Sequence, residues 1–390
     1  MKKLIASLTA VVLAAACLTG CGGDAGSSAG AGGSSAGGSS ASGDQVFKIG
    51  GIGPLTGDAS SYGISVKNGA EVAVEELNAA GGAAGYQFEL LFEDDELDEE
   101  KSVNAYNKLM DSNVNAILGS VTSGCSIAVS EVSKDDGILQ ITPSGSAQAC
   151  TQYDNAFRIC FTDPMQGELM AKYIIDKGIT KTAIIYNVSD EYSKGITDAF
   201  TEAYTAAGGT VSASESYNTG DIDFKTQLTT IKNSDAEALF LPIYYSDVAS
   251  ISEQAAGVGL ALPYFGCDGW DGVIKQLNGD TSKIDGAVFL TPFVATSEDE
   301  KVKSFVEKYT EKFGVAPDQF AADGYDGVYA MAKALEQTNG DTSNEALVAA
   351  MTNITVDGVT GSMTFDASGE PNKDALVAII KDGEYTPEEK

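Results

Sequence analysis

The chain has 390 residues, with 56 Asp and Glu against 24 Lys and Arg, a formal net charge of −32, and no histidine. So acidic a surface repels nucleic acid and anionic lipid head groups, and it favours solubility. Without histidine there is no Ser-His-Asp or Cys-His catalysis, no imidazole base and no His-ligated metal, and Arg158, the only arginine, leaves no arginine clamp for a phosphate or dicarboxylate.

Met1-Lys2-Lys3 is a basic start, and the apolar run that follows is too short and too rich in Ala, Ser and Thr to span a membrane, so residues 1–20 read as a signal peptide. Leu18-Thr19-Gly20-Cys21 resembles a bacterial lipobox, which makes Cys21 the expected lipidated residue. Two acyl chains on one cysteine meet the requirement for stable anchoring. Residues 22–43 are nearly all Gly, Ser and Ala and cannot bury enough surface to order themselves. As a flexible coil they span about 25 Å, so residues 21–45 are expected to tether a folded body to a membrane face.

From residue 46 the apolar pattern alternates between strand and helix periods. Residues 46–49 predict a strand running into Gly50–Pro54. Val66, Ala70, Ala73, Val74 and Leu77 predict a helix stopped by Gly81-Gly82. Strands at 88–92, 116–119 and 138–141 alternate with helices marked by Tyr106 and Leu109 and by Val129 and Val132. The pattern restarts after Pro164, with strands at 183–186, 211–217, 238–241, 264–266 and 287–290. Helices near 194–207, 223–232 and 247–258 separate them. Two long helices at 299–313 and 320–335 follow, then a shorter one before Met351 and a strand pair around 361–365 and 376–380. This order predicts an α/β fold with parallel sheets covered by helices, and the length predicts two domains.

Of six cysteines, Cys17 leaves with the signal and Cys21 carries lipid. An exported chain permits disulfides. Cys125–Cys150 is the favoured pair because both flank segments placed at one cleft rim; Cys160 and Cys267 are left either free or paired.

Ligands of open parallel sheets sit beyond the C-terminal strand ends, where helix N-termini present unpaired N–H groups. Ser120–Gly124 and Thr142–Ser146 are strand-end loops rich in small hydroxyl residues; backbone N–H groups and serine hydroxyls there can hold a carboxylate without arginine. Asp268, after residues 264–266, can accept an ammonium or serve as a helix cap. Tyr62, Tyr192, Tyr244 and Tyr245 lie in loops or at strand ends. Gly51-x-Gly53-x-x-x-Gly57 is broken as a dinucleotide loop by Pro54 and a late helix. The acidic run 93–100 lacks the spacing and central glycine of a calcium loop, and suits a helix N-terminus.

Ile52–Gly57, Asn68-Gly69-Ala70, Asn78–Gly82, Glu93-Asp94-Asp95, Thr142-Pro143, Phe157-Arg158, Gly257-x-Gly259-Leu260 and Gly324-Tyr325-Asp326 follow one another in an order that resembles the branched-chain amino acid-binding family of ABC-transporter substrate-binding proteins. The resemblance covers residues 46–385. It implies a two-lobed type I periplasmic-binding-protein fold (a Venus flytrap), each lobe a parallel-sheet α/β sandwich joined by three hinge crossovers. The lobes are expected at 46–162 with 293–353 and at 163–292 with 354–390. The resemblance implies that Ser123 binds the ligand carboxylate, that Ser144 offers its carbonyl to the ammonium and that Ser146, where threonine is usual, touches both. It also implies that Tyr192 contacts the ligand backbone, that Asp268 stands for a glutamate facing the ammonium, and that Tyr62 and Tyr244 (or Tyr245) wall the side-chain pocket. A disulfide that family members begin near Leu97 has no cysteine here. Expected partners are a small amino-acid-like ligand and ABC permease subunits, with the membrane reached only through the lipid. Neither catalysis, cofactor nor metal is expected, and the protein is expected to be a monomer. The same fold holding an amide, urea-like compound or aromatic acid, or serving as a sensor, is the alternative, and an exported enzyme using Asp or Tyr is disfavoured.

Overall fold

The structure, a computed structural model, describes residues 45–388; the expected signal peptide, Cys21 and nearly all of the tether lie outside them. The first run is β1 (Val46–Gly53), α1 (Ser60–Ala79), β2 (Gln87–Asp94), α2 (Glu99–Asp111), β3 (Ala116–Leu118), α3 (Ser123–Asp136), β4 (Gln140–Thr142) and β5 (Ala156–Arg158). Its strands form a parallel sheet in the order β2-β1-β3-β4-β5. The second run is α4 (Asp163–Asp176), β6 (Lys181–Asn187), α5 (Glu191–Ala206), β7 (Thr210–Tyr217), α6 (Lys225–Lys232), β8 (Ala238–Leu241), α7 (Tyr245–Val258), β9 (Tyr264–Gly266), α8 (Val273–Gln276) and β10 (Val288–Thr291). The chain then makes α9 (Glu300–Phe313), α10 (Gln319–Gln337), α11 (Asn344–Met351), β11 (Thr355–Gly358), β12 (Gly361–Thr364), β13 (Leu376–Lys381) and β14 (Glu384–Pro387).

The second sheet runs β14-β13-β10-β9-β8-β6-β7, parallel except for β13 and β14, which add antiparallel at one edge. The chain therefore passes between the sheets three times, after β5, after β10 and after β12. The predicted strand pair near the C-terminus does not form. β12 pairs with β11, and β13 pairs with β10 and β14. The expected lobe boundary at 353/354 also moves. Phe365 packs edge-on against Phe157, the Arg158 N–H donates to the Gly369 carbonyl, and Arg158 pairs with Glu370, so the chain stays with the first lobe through Glu370.

Helix starts follow local chemistry. Asp98, Thr162, Asp190, Asp299 and Asp318 each accept a backbone N–H of the first turn that they precede. Asp190 starts α5 at Glu191, a turn's fraction before the expected position. Sequence periodicity offered no element for α4, although Met170, Ala171 and Ile174 line its buried face beneath the Thr162 cap. The acidic run near residue 95 serves the fold: Asp94 accepts the Leu55 N–H at 2.8 Å, Asp98 caps α2, and buried Asp95 accepts from Ser120 Oγ and the Leu97 N–H. Gly51 lies in β1 with the Phe92 ring against it, so its missing side chain serves packing.

α10 returns to pack on α1, and two glycines permit the close approach. A Cβ on Gly69 would sit 1.8 Å from the Ala321 carbonyl oxygen, and one on Gly324 would sit 2.4 Å from the Val66 oxygen. Gly69→Ala must therefore push two backbones apart and should lower unfolding stability by about 1–3 kcal/mol in urea titrations. Gly257→Ala, in the last turn of α7 with nothing within 4 Å, should be neutral or slightly stabilising. Equal effects of the two changes would refute the close-contact account.

Candidate ligand-binding site

Both sheets reverse strand order at a switch point, β1/β3 in the first and β6/β8 in the second. Loops leaving these strands point into the space between the lobes, where a parallel sheet offers a binding crevice. β1 leads to Tyr62 in the first turn of α1, β3 leads to Thr122 and Ser123, β6 leads to Tyr192, and β8 leads to Tyr244. β4 and β9, next in each sheet, lead to Ser144 and Asp268.

Hydroxyl bonds lock the two serine loops of the first lobe together. Ser144 Oγ donates to the Val121 carbonyl at 2.7 Å, and Thr142 Oγ1 donates to Ser120 O at 2.7 Å. Ser123 Oγ accepts the N–H groups of Ser146 and Ala147, both at 3.1 Å, which leaves its own proton to donate. Ser146 Oγ is buried beside the Asp163 carboxylate, and no donor among the described residues reaches the Ser144 carbonyl. Below this loop lies Arg158, fully buried. It donates to the carbonyls of Gly145 at 2.9 Å and Ala147 at 3.1 Å and pairs with Glu370 at 2.8 Å. The only arginine thus holds the loop's shape from behind.

Asp268 is the centre of the opposite wall. It is 4% exposed, and its Oδ1 accepts from Tyr192 OH at 2.7 Å and from the Gly269 N–H at 2.8 Å. Gln166 Oε1 accepts the Asp268 N–H at 3.0 Å, and Gln319 Nε2 donates to the Asp268 carbonyl. Tyr62 crosses between lobes: its OH donates to the Gly269 carbonyl and accepts the Tyr245 N–H at 3.2 Å. Its ring stacks obliquely on Phe320 at 4.0 Å and edge-on against Tyr244 at 5.5 Å.

One cavity brings Tyr62, Ser144, Tyr192, Tyr244 and Asp268 together with Val121, Thr122, Gly269 and Phe320. Ser123 and Ser146 stand one layer behind it. Tyr245 packs behind Tyr62, with its OH accepting the Ser61 N–H at 3.3 Å, so Tyr244 is the wall residue of the two. The cavity is tight: about 10 Å³ is open to the centre of a water-sized sphere, room for about one water. Thr122, Gln166, Gln319 and Phe320 escaped sequence reading. Thr122 alone carried a signal, as a hydroxyl at a helix N-terminus.

The favoured Cys125–Cys150 disulfide is not formed. All four cysteines of the folded body are buried free thiols. Cys150 Sγ faces the Ser123 carbonyl at 3.7 Å, whereas Cys125 lines the mouth of the cleft, so the two turn to different neighbours.

Burial pushes Asp268 up to about 6, while Tyr192 OH and the Gly269 N–H pull it back. Asp163 and Asp323 are also raised by burial, with the Ser146 hydroxyl pulling Asp163 back. A carboxylate whose folded value exceeds its unfolded one contributes stability below the unfolded pKa, near 4, and loses it as pH rises through the folded value. The protein should therefore melt at higher temperature at pH 5 than at pH 8, and Asp268→Asn should flatten the change between about pH 4 and 6. A melting temperature that climbs from pH 5 to 8 would contradict this.

The sequence profile of the periplasmic binding protein family matches residues 46–384. The chain is 29% identical over 326 residues to the leucine-, isoleucine-, valine-, threonine- and alanine-binding protein of Pseudomonas aeruginosa, covering 83% of this chain and 86% of that one. Its fold is similar to the leucine-binding protein of Thermotoga maritima, with TM-score 0.82, 28% identity, and 88% and 98% of the two chains covered. It is also similar to the branched-chain amino acid transporter substrate-binding protein of Streptococcus pneumoniae in complex with isoleucine, with TM-score 0.81, 30% identity, and 88% and 100% covered. With its matched profile spanning both sheets and all three crossovers, the chain belongs to the periplasmic binding protein family.

Proposed function

We propose that this protein is the extracytoplasmic solute receptor of an ABC importer and that it captures a small amino acid of the branched-chain type between its lobes. The observation that carries the reading is Asp268, a buried carboxylate with no cation beside it, set across a cavity from the N-terminus of α3. The ligand ammonium supplies the missing positive charge to Asp268 and to the open Ser144 carbonyl. Its carboxylate takes the helix N–H groups, the Ser123 proton and the Ser146 hydroxyl. Tyr192 orients Asp268, and Tyr62, Tyr244, Val121 and Phe320 supply apolar wall for the side chain. Water exclusion strengthens each of these bonds. Because the cavity admits about one water, entry requires the lobes to part and the Tyr62 bonds to Gly269 and Tyr245 to break. The Pseudomonas relative, named for leucine, isoleucine, valine, threonine and alanine, and the Streptococcus structure in complex with isoleucine support the choice of ligand.

Titration calorimetry with leucine, isoleucine and valine tests the reading. Asp268→Ala should weaken binding by about 2–5 kcal/mol, a loss of roughly thirtyfold or more, with the circular dichroism spectrum unchanged. Affinity should also fall as pH drops below about 6, where Asp268 takes up its proton; full affinity in Asp268→Ala would sink the assignment.

Export by a signal peptide and anchoring through lipid on Cys21 belong to the same proposal, supported by the lipobox-like sequence and the Gly/Ser tether. Cys21→Ser should shift the protein from the membrane fraction to the soluble fraction. Unchanged membrane retention would count against the anchor.

A further inference from the structure

The Asp268 cavity shares two wall residues, Thr122 and Tyr244, with a second compartment between the lobes. The second space is far larger, about 200 Å³. Its charged walls are all acidic: Asp58 and Glu99 from the first lobe, Asp190 and Asp247 from the second. No lysine or arginine is among the described residues that line it. Asp190 caps α5 through the Ser193 N–H at 3.3 Å, and Asp247 accepts from Tyr217 OH at 2.6 Å, with its other oxygen reached by no described donor. Burial raises both carboxylates, Asp190 to about 7. Half-buried carboxylates with no cation beside them are costly unless something positive joins them.

Thr122 gives an independent sign of a ligand. It occupies the N-cap position of α3 with extended backbone angles, yet its hydroxyl makes no cap bond. The residue is 4% exposed and Oγ1 makes no hydrogen bond to nitrogen or oxygen, with only the weakly bonding Cys125 thiol beside it, at the junction of the two spaces. A purely aliphatic side chain would leave this hydroxyl and the carboxylates beyond it unsatisfied.

We propose that the second compartment is a side-chain subsite for a straight-chain amino acid ending in a cationic amine, which passes Thr122 and Tyr244 and places its charge between Asp190 and Asp247. This rests on the proposed amino-acid site at Asp268, since the α-ammonium and α-carboxylate must be held there for the side chain to point outward. Once the lobes part to admit them, leucine and valine held at Asp268 stop short of the second compartment, and lysine or ornithine reaches it.

Calorimetry on the folded chain with leucine, norleucine, lysine and ornithine tests the subsite, with norleucine matching lysine but for the terminal amine. Lysine or ornithine should bind more tightly than norleucine. Asp247→Asn, whose amide oxygen can still accept from Tyr217, should weaken the basic ligands about tenfold and leave leucine and norleucine unchanged. On the unmodified protein, raising salt from about 0.05 to about 0.5 M should weaken lysine more than norleucine. Leucine binding without lysine or ornithine binding would overturn the subsite while sparing the inner site. Equal weakening of leucine and lysine by Asp247→Asn, or equal salt dependence, would also overturn it. Failure of all four ligands would overturn the inner site as well.

Discussion

The arrangement between the lobes depends on one constraint: Asp268 is buried without a cationic partner. Desolvation alone would keep it neutral, so every polar group able to favour its charged form is drawn in around it. Tyr192 and the Gly269 N–H serve the carboxylate, while Gln166 and Gln319 fix the backbone on either side. These groups come from α4, α5, the loop after β9 and α10, hence from both lobes and from segments on either side of the second crossover. A change in the relation of the lobes therefore changes the surroundings of this one carboxylate. That couples lobe geometry to the charge state of Asp268.

The opposite wall solves the complementary problem, presenting positive potential with no lysine or arginine among the described residues that line the cavity. Two strand-end loops are cross-bonded by Ser144, Thr142 and Ser123 so that N–H groups and hydroxyls face one direction. Arg158 lies behind the loop and saturates its carbonyls, turning those acceptors away from the cleft. Its own charge is matched by Glu370, from a segment that would otherwise belong to the far lobe. The apolar part of the site is an aromatic assembly, Tyr62, Tyr244, Tyr192 and Phe320, whose rings meet edge-on or stacked within about 6 Å. Tyr62 also carries two hydrogen bonds across the cleft, so the same residue shapes the pocket and joins the lobes.

Much of the site was legible because its residues lie just past strand ends. Alternating strand and helix periods located those ends, and the switch-point rule then pointed to the serine loops and Asp268, while roles for Tyr62, Tyr192 and Tyr244 or Tyr245 came only from the family resemblance. What could not be read were partners distant in sequence. Gln319 meets Asp268 across 51 positions and Gln166 meets it across 102, with no local pattern to announce either contact. The choice between Tyr244 and Tyr245 turned on where the N-terminus of α7 settles, since adjacent helical residues point some 100° apart. The cysteine expectation failed for a related reason: closeness to one cleft rim does not fix the direction of a side chain, and Cys125 and Cys150 turn to different neighbours.

Composition and periodicity by themselves determined the α/β class, the two parallel-sheet halves, the exclusion of histidine chemistry and the loops on which a site can be built. These properties are local, set by the period of apolar residues and by which side chains exist at all. Tertiary structure alone decided that β12 and β13 part company, that residues up to Glu370 stay with the first lobe, and that Arg158 supports a loop. It also decided that Thr122 keeps a hydroxyl with no nitrogen or oxygen partner between two compartments. Each of those outcomes depends on which distant surfaces meet and how far their polar groups are desolvated, and neither quantity is encoded by any short stretch of chain.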